Sequence, residues 1–359
     1  MRVRAWALAL LAAGAALAAQ PAGRPGIAYP EVKPGAELRF PRDHGAHPDY
    51  RTEWWYFTGW LETDAGPLGF QITFFRSRPA VDPANPSAFA PRQIVFAHAA
   101  LSDPTSRRLL HDQRAARAGF GLADAGTGDA AVRLLDWSLV RRPDGAFQAR
   151  IPAKGFTLDL VLRPTQRTLP NGAGGYSRKG PAPSQASYYY SMPHLAASGS
   201  VTRGGRRVPV RGSAWLDREW SSAPLPPEAV GWDWAGINLD GGGALMAFQV
   251  RGKDGRALYA GGTLRRPNGS RLALGPGEVR FVPRRRWRSP ATGATYPVEA
   301  DFVVRLPEGE RRFALRPLFD AQELDGRGGG MPAYWEGAVT TTGGRGYLEL
   351  TGYAAPLTL

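Results

Sequence analysis

Two stretches of the chain set carboxylates directly among large aromatic rings. One is Glu53-Trp54-Trp55-Tyr56, the other Ala214-Trp215-Leu216-Asp217-Arg218-Glu219-Trp220. A carboxyl group enclosed by apolar walls loses its hydration, its pKa rises, and it retains a proton to donate. Beside aromatic rings, such an acid suits chemistry on an apolar alkene. The acid protonates one carbon, an electron-rich ring steadies the cation, and a base delivers water. Strand alternation places Trp215, Asp217 and Glu219 on one face, with Leu216, Arg218 and Trp220 on the other. The roles then fall to Asp217 as acid, Trp215 or Tyr190 as ring, and Glu219 as base. The same alternation groups Glu53 with Trp55 and Phe57, either reaching into the cavity or accepting hydrogen bonds from the segment before it. A plainer reading stands beside this one: Asp217 and Glu219 pair with arginines at a hairpin end, since ion-pair networks perturb pKa values too.

The elements that must position these residues are strands. Forty-five glycines and 32 prolines cut the chain into short pieces, and runs such as 69–75, 93–99, 156–162 and 302–306 are rich in β-branched and aromatic residues between turn signals. One helix is expected, over Ser106 to Ala118, where Leu109, Leu110 and Gln113 would share a face before Gly119. An internal repeat sets the architecture. Trp55-Tyr56-Phe57-Thr58-Gly59 matches Trp232-Asp233-Trp234-Ala235-Gly236, and Phe70-Gln71-Ile72 matches Phe248-Gln249-Val250. A second echo pairs Gly199-Ser200-Val201-Thr202 with Gly337-Ala338-Val339-Thr340, and Val210-Arg211-Gly212 with Leu350-Thr351-Gly352. The expectation is all-β, two tandem antiparallel β-barrels, each wide enough for one small apolar ligand. The first covers residues 36–221 and the second residues 222–359, joined near the proline-rich stretch that follows Ser221.

Residues 1–19 read as a secretory signal. Arg2 and Arg4 form the charged start, Ala5 to Leu17 the apolar run, and Ala16-Leu17-Ala18 the cleavage site. With no cysteine in the chain, disulfides, thiolate nucleophiles and thiolate metal sites are all excluded. The net charge of +14 comes from scattered arginines, only Lys33, Lys154, Lys179 and Lys253 being lysine. Scatter and export together argue against a nucleic-acid partner. The densest run, Arg284-Arg285-Arg286-Trp287-Arg288, reads as a solvated loop; a peripheral contact with anionic membrane lipid is the alternative.

Several blocks resemble the AttH-like, carotenoid 1,2-hydratase-like family of tandem lipocalin-like proteins. They are His47-Pro48-Asp49-Tyr50-Arg51-Thr52-Glu53-Trp54-Trp55-Tyr56, Tyr188-Tyr189-Tyr190-Ser191-Met192-Pro193, the block 212–220, and Tyr334-Trp335-Glu336-Gly337. The resemblance runs from about Phe40 to Tyr353. It implies two lipocalin-like barrels, a buried apolar site and, in some members, addition of water to an isoprenoid double bond. The hydratases' proton donor falls on Asp217, and their aromatic and polar wall residues fall near Tyr188 and Tyr190. Where those enzymes place histidines beside the aspartate, Leu216 and Arg218 stand here.

Other chemistries fail on spacing. Gly175-Tyr176-Ser177-Arg178-Lys179-Gly180 is one residue too long for a nucleophile elbow, and Gly172-Ala173-Gly174-Gly175 follows no strand of a βαβ unit. Asp43-His44-x-x-His47-x-Asp49 lacks a third histidine nearby for a catalytic zinc set. Neither a metal nor a cofactor is expected. Two functions remain. One is a hydratase or isomerase with Asp217, Glu219 and Tyr190 catalytic, and Trp215, Tyr188, Glu53, Trp54, Trp55 and Tyr56 lining the ligand. The other is a periplasmic carrier of a lipid-like molecule, working with an envelope ABC transporter. The export signal makes its own prediction: fractionation of the host should recover a chain beginning near Ala19 in a soluble envelope fraction. An intact Met1 in the cytosol would contradict it.

Overall fold

The computed structural model describes residues 27–357 apart from Pro83, so residues 1–19, read as a secretory signal, lie outside the described residues. The first sheet contains β1 (Thr52–Thr63), β2 (Gly66–Ser77), β3 (Ile94–Asp103), β4 (Arg108–Arg117), β5 (Ala123–Ala125), β6 (Ala131–Leu134), β7 (Trp137–Arg141), β8 (Phe147–Ala153), β9 (Phe156–Arg163), β10 (Leu169–Pro170), β11 (Tyr176–Arg178), β12 (Ala186–Arg203) and β13 (Arg206–Ser221). The second contains β14 (Ala229–Leu239), β15 (Ala244–Gly252), β16 (Ala257–Arg265), β17 (Arg271–Leu274), β18 (Val279–Arg288), β19 (Thr295–Leu306), β20 (Gly309–Pro317), β21 (Glu323–Asp325), β22 (Ala333–Thr341) and β23 (Gly344–Leu350). All pairings are antiparallel, and no α-helix occurs among the described residues.

Both sheets have one plan. The first strand sits at the centre, flanked by its own hairpin partner and by the last strand: β2-β1-β13-β12 in one, β15-β14-β23-β22 in the other. The first sheet curls until its ends nearly meet, with the Lys154 N–H donating to Asp112 of β4 at 2.7 Å and the Arg114 guanidinium 5.1 Å from the Trp137 ring centre. The repeated motifs fall on equivalent strands, although the Phe-Gln motif is displaced by two residues: Gln71 pairs with Thr58, whereas Gln249 pairs with Asp233. The faces are exchanged as well: Trp55, Phe57, Phe70 and Ile72 lie in the first barrel's core, whereas their counterparts Trp232, Trp234, Phe248 and Val250 face the layer between the barrels.

The helix expected over Ser106 to Ala118 is strand β4, paired along its whole length with β3, from Asp103 with Arg108 to Ile94 with Arg117. Leu110 faces the first barrel's core, while Leu109 packs outward near Leu324 and Tyr334. Both faces of this edge strand are covered, so adjacent leucines mimic a helical stripe. The Arg284 run is likewise a strand, not a loop. Arg284 pairs with Asp301, and Arg285 with Glu299 and Asp320.

Contrasting burial patterns show what the fold positions. Strand β9 alternates strictly, with Phe156, Leu158, Leu160 and Leu162 inside and their neighbours half-exposed. Strand β1 and the end of β13 are buried on both faces, because the second barrel packs against their outer side. There Tyr56, Trp60, Tyr189 and Trp215 meet Trp234, Met246, Phe248 and Tyr347, and the Trp60 indole N–H donates to Gly346 at 3.0 Å. The barrels approach so closely that a Cβ on Gly69 would lie 2.6 Å from the Tyr347 hydroxyl. Inside the first barrel, Phe57, Phe70, Phe74, Leu139 and Phe147 are each 0% exposed, so no water-sized space adjoins them.

One end of that barrel is locked by charge. Glu53, 0% exposed, accepts from Arg76 and Arg218, while the His47 backbone N–H donates to its two oxygens at 2.9 and 3.0 Å. Burial pushes the Glu53 pKa up, but Arg218, His47 and Arg76 overcome this and hold it below the usual carboxylate range. Removing one partner of a buried ion pair strands the others, at a cost of about 3–5 kcal/mol. Glu53→Gln should therefore shift urea unfolding by that amount at neutral pH. Because the group's pKa is depressed on folding, the shift should shrink as pH falls through the acid range. A loss below about 1 kcal/mol, the scale of an exposed pair, would contradict this placement.

Candidate active site

The strand alternation read from the sequence holds: Trp215, Asp217 and Glu219 share one face of β13, and Arg218 and Trp220 point into the first barrel. Where these faces lead differs from expectation. The acids lie outside the first barrel, in the layer between the two barrels. Cross-strand register explains this, because Tyr189 pairs with Glu219 and Ser191 with Asp217, whereas Tyr188 pairs with Trp220 and Tyr190 with Arg218. Tyr188 and Tyr190 therefore share the inner face with Glu53 and Trp55. Their hydroxyls are taken up by the segment before β1, Tyr190 with His44 Nδ1 at 2.6 Å and Tyr188 with the Lys33 backbone N–H at 3.0 Å. The expected site thus divides into Trp54, Tyr56, Trp215, Asp217 and Glu219 between the barrels, and Glu53, Trp55, Tyr188 and Tyr190 inside the first. His47, considered above as a metal ligand, instead lies 3.2 Å from Asp43 and stacks on Trp220 with ring centres 3.9 Å apart.

Asp217 is 2% exposed and, among the described residues, forms no ion pair. Its Oδ1 accepts from Ser191 Oγ at 2.5 Å and Trp215 Nε1 at 2.7 Å, and its Oδ2 from the Tyr189 hydroxyl at 2.5 Å. Trp234 of the second barrel donates to that tyrosine oxygen at 3.0 Å. Burial dominates, outweighing the three donors, and the Asp217 pKa is pushed up to about 7. Glu219, one pleat along, accepts from Ser187 and from Lys179 Nζ at 3.1 Å. Burial lowers the lysine's pKa against the opposing pull of Glu219. The ammonium also lies over Tyr189 and Phe248, 4.4 and 4.3 Å from their ring centres.

The second barrel adds two more acids. Glu336 and Glu349 are direct cross-strand partners on β22 and β23, which sets their Cβ atoms about 5 Å apart. Burial pushes Glu336 up to about 8, with the nearby Tyr56 and Tyr334 hydroxyls pulling the other way. Burial, then the proximity of Glu336, raises Glu349 well above the carboxylate range. Among the described residues, the Tyr56 and Tyr334 hydroxyls stand close enough to act on the Glu336 charge, yet neither Glu336 oxygen nor the Tyr56 hydroxyl has a partner within ordinary hydrogen-bond distance. Half-buried Trp54, Trp232 and Glu349 border the layer. Two surface depressions lie elsewhere, one by Leu239 and Arg311 and one by Trp137 and Arg150.

Sequence reasoning missed Lys179, Tyr189, Ser191, Glu336 and Glu349. A signal for the glutamates exists in Trp335-Glu336 and Tyr347-Leu348-Glu349, which place acid beside aromatic much as the two leading motifs do. Lys179 carries no such mark.

A family model for AttH-like proteins matches residues 31–353. The chain belongs to the AttH-like family. A crystal structure of an AttH-family protein from Nitrosomonas europaea is 52% identical, with 90% of this chain and 99% of that one covered and a TM-score of 0.84. Kievitone hydratase from Nectria haematococca shares the fold at 14% identity, with 91% and 96% covered and a TM-score of 0.64. The comparison with curated proteins returned no match.

A carboxyl whose pKa is raised on folding stabilises the fold most below its ordinary value, and that stability is lost as pH rises through the raised one. The stability of wild type relative to Asp217→Asn should therefore fall between pH 3.8 and about 7. Denaturant titrations across that range check it, and a flat difference would contradict a protonated Asp217.

Proposed function

We propose that the layer between the barrels is an active site for acid-initiated addition of water to an apolar, isoprenoid-like alkene, with Asp217 as general acid. The observation that carries this is a buried carboxyl, with a pKa about 7 and no cationic partner, set among Trp54, Trp215, Trp232 and Trp234. The Asp217 O–H proton passes to one alkene carbon, whose neighbour becomes a cation facing the indole rings. Water adds to that cation, and Glu219, positioned by Lys179 and Ser187, accepts the proton water releases. A hydratase among proteins of this fold is consistent with the reading, though a shared fold alone carries no chemistry. The reading of residues 1–19 as a secretory signal supports a place for this work in the cell envelope.

A second reading, a lipid-like carrier serving an envelope ABC transporter, is favoured by one feature. Asp217 is already fully hydrogen-bonded, as an acid that only fixes a head group or the barrel contact would be.

Protein isolated from its host should release an apolar unsaturated molecule on extraction. Incubated with that molecule in heavy-oxygen water, wild type should yield the labelled alcohol. Asp217→Asn should lose at least about 100-fold in rate, the usual share of a general acid, while still retaining the ligand. No labelled product from wild type, with only retention changed in the variant, would favour the carrier.

A further inference from the structure

A donated proton must be replaced, and Asp217 is shut away from solvent. On the face of the first barrel covered by the second, cross-strand register lines up Ser191, Asp217, Tyr56, Thr73, His98 and Gln113 in one row across β12, β13, β1, β2, β3 and β4. Every member is polar. At about 4.8 Å per strand, the row runs roughly 20 Å from Asp217 to the half-buried Gln113 on edge strand β4. Beside it, Thr58 and Gln71 form part of a second row, and Gln71 Nε2 donates to Thr73 Oγ1. Tyr334 of the second barrel closes over it, its hydroxyl 2.8 Å from His98 Nδ1.

A sheet face pressed against another barrel ordinarily carries apolar side chains, and buried polar atoms ordinarily find partners. Among the described residues, Thr58 Oγ1, Gln71 Oε1, His98 Nε2 and Gln113 Oε1 have no hydrogen-bond partner, and the Tyr56 hydroxyl has beside it only Glu336, beyond ordinary hydrogen-bond distance. Tyr56, Gln71, His98 and Glu336 are each at most 6% exposed. Groups of this kind, spaced one strand apart, are the sites that buried waters bridge, each making two to four hydrogen bonds.

We infer that this row is the proton-supply path of Asp217: a file of hydroxyls and bridging waters leading from the sheet edge at Gln113, past His98, whose Nε2 anchors the file while Tyr334 holds its Nδ1, and through Thr73 and Tyr56 to the acid. The inference rests on the proposed role of Asp217. Each transfer moves one proton across one hydrogen bond, and each water or hydroxyl releases one proton as it receives another. The solvent loses a proton, the Asp217 carboxylate gains it, no intermediate group changes charge, and the proton that Glu219 has taken from the adding water returns to solvent before the next turnover. Tyr56 suits the part because burial, followed by Glu336 and Glu349, keeps its hydroxyl protonated, able to accept and donate. His98 stays a neutral imidazole, since burial takes its pKa down to about 3.

The test needs no substrate. The infrared carbonyl band of a protonated Asp217, identified by its loss in Asp217→Asn, shifts when its proton exchanges for deuterium. On transfer of wild type to heavy water, this band should shift within mixing time despite the burial. Thr73→Val keeps the side-chain shape, breaks the file, and should slow the shift at least tenfold. Gln71→Leu, which removes the donor to Thr73, should do the same and provides a second variant should the first fail to fold. Equal exchange in wild type and the variants, or slow exchange in wild type, would overturn the path while leaving the acid in place. Absence of any band lost in Asp217→Asn would overturn the acid itself, and the path with it.

Discussion

The account depends on one packing constraint: β1 and β13 are buried on both faces. A barrel strand with a solvated outer side can place acids there at no cost, fully hydrated and unremarkable in pKa. Pressing the second barrel against that side removes the water. Tyr56, Trp60, Tyr189 and Trp215 then become one wall, with Trp234, Phe248 and Tyr347 as the other. The carboxyls caught between them, Asp217 from one barrel and Glu336 and Glu349 from the other, are held toward their neutral forms by desolvation. The tandem arrangement is therefore the source of these raised carboxyl pKa values, and neither barrel alone would create them.

The two faces of β13 divide the labour. Arg218 on the inner face joins Glu53 and Arg76 in a compensated ionic cluster that closes the barrel and fixes the register of β1 against β13. Asp217, one residue away on the outer face, has only neutral donors. One arginine beside Asp217 would pull its pKa down and remove its proton at neutral pH. The chain carries a net charge of +14, yet among the described residues four acids meet in this layer, one of them paired with Lys179. Arginines stand at the layer's margin, Arg345 5.4 Å from the Trp60 ring centre and Arg178 5.6 Å from that of Tyr259, while Arg284 and Arg285 of β18 pair with acids.

Much of this was legible in the sequence. Strands bounded by glycine and proline, the repeat that places β14 and β15 where β1 and β2 lie, and the alternation along β13 all follow from local chemistry with a period of two. The single cavity expected to hold all these residues is divided between two faces, because alternation gives two faces without saying which is inside. That depends on the partner strand: only the pairing of Ser191 with Asp217 removes Tyr188 and Tyr190 from the acid's side. Strand β4 misled for a related reason, since Leu109 and Leu110 are half-buried against different barrels. Lys179 reaches Glu219 through a long-range contact in a glycine-rich loop region that carries no local pattern.

The central claim is that the ligand sits between the barrels rather than within one. Photolabelling tests it most directly, using an isoprenoid that carries a diazirine along its chain and mapping the labelled residues by mass spectrometry. The account predicts labels on Trp54, Trp232 and their neighbours around Asp217, and their loss when excess unlabelled isoprenoid competes. Labels concentrated on Trp55, Phe57 and Tyr188 inside the first barrel would contradict it.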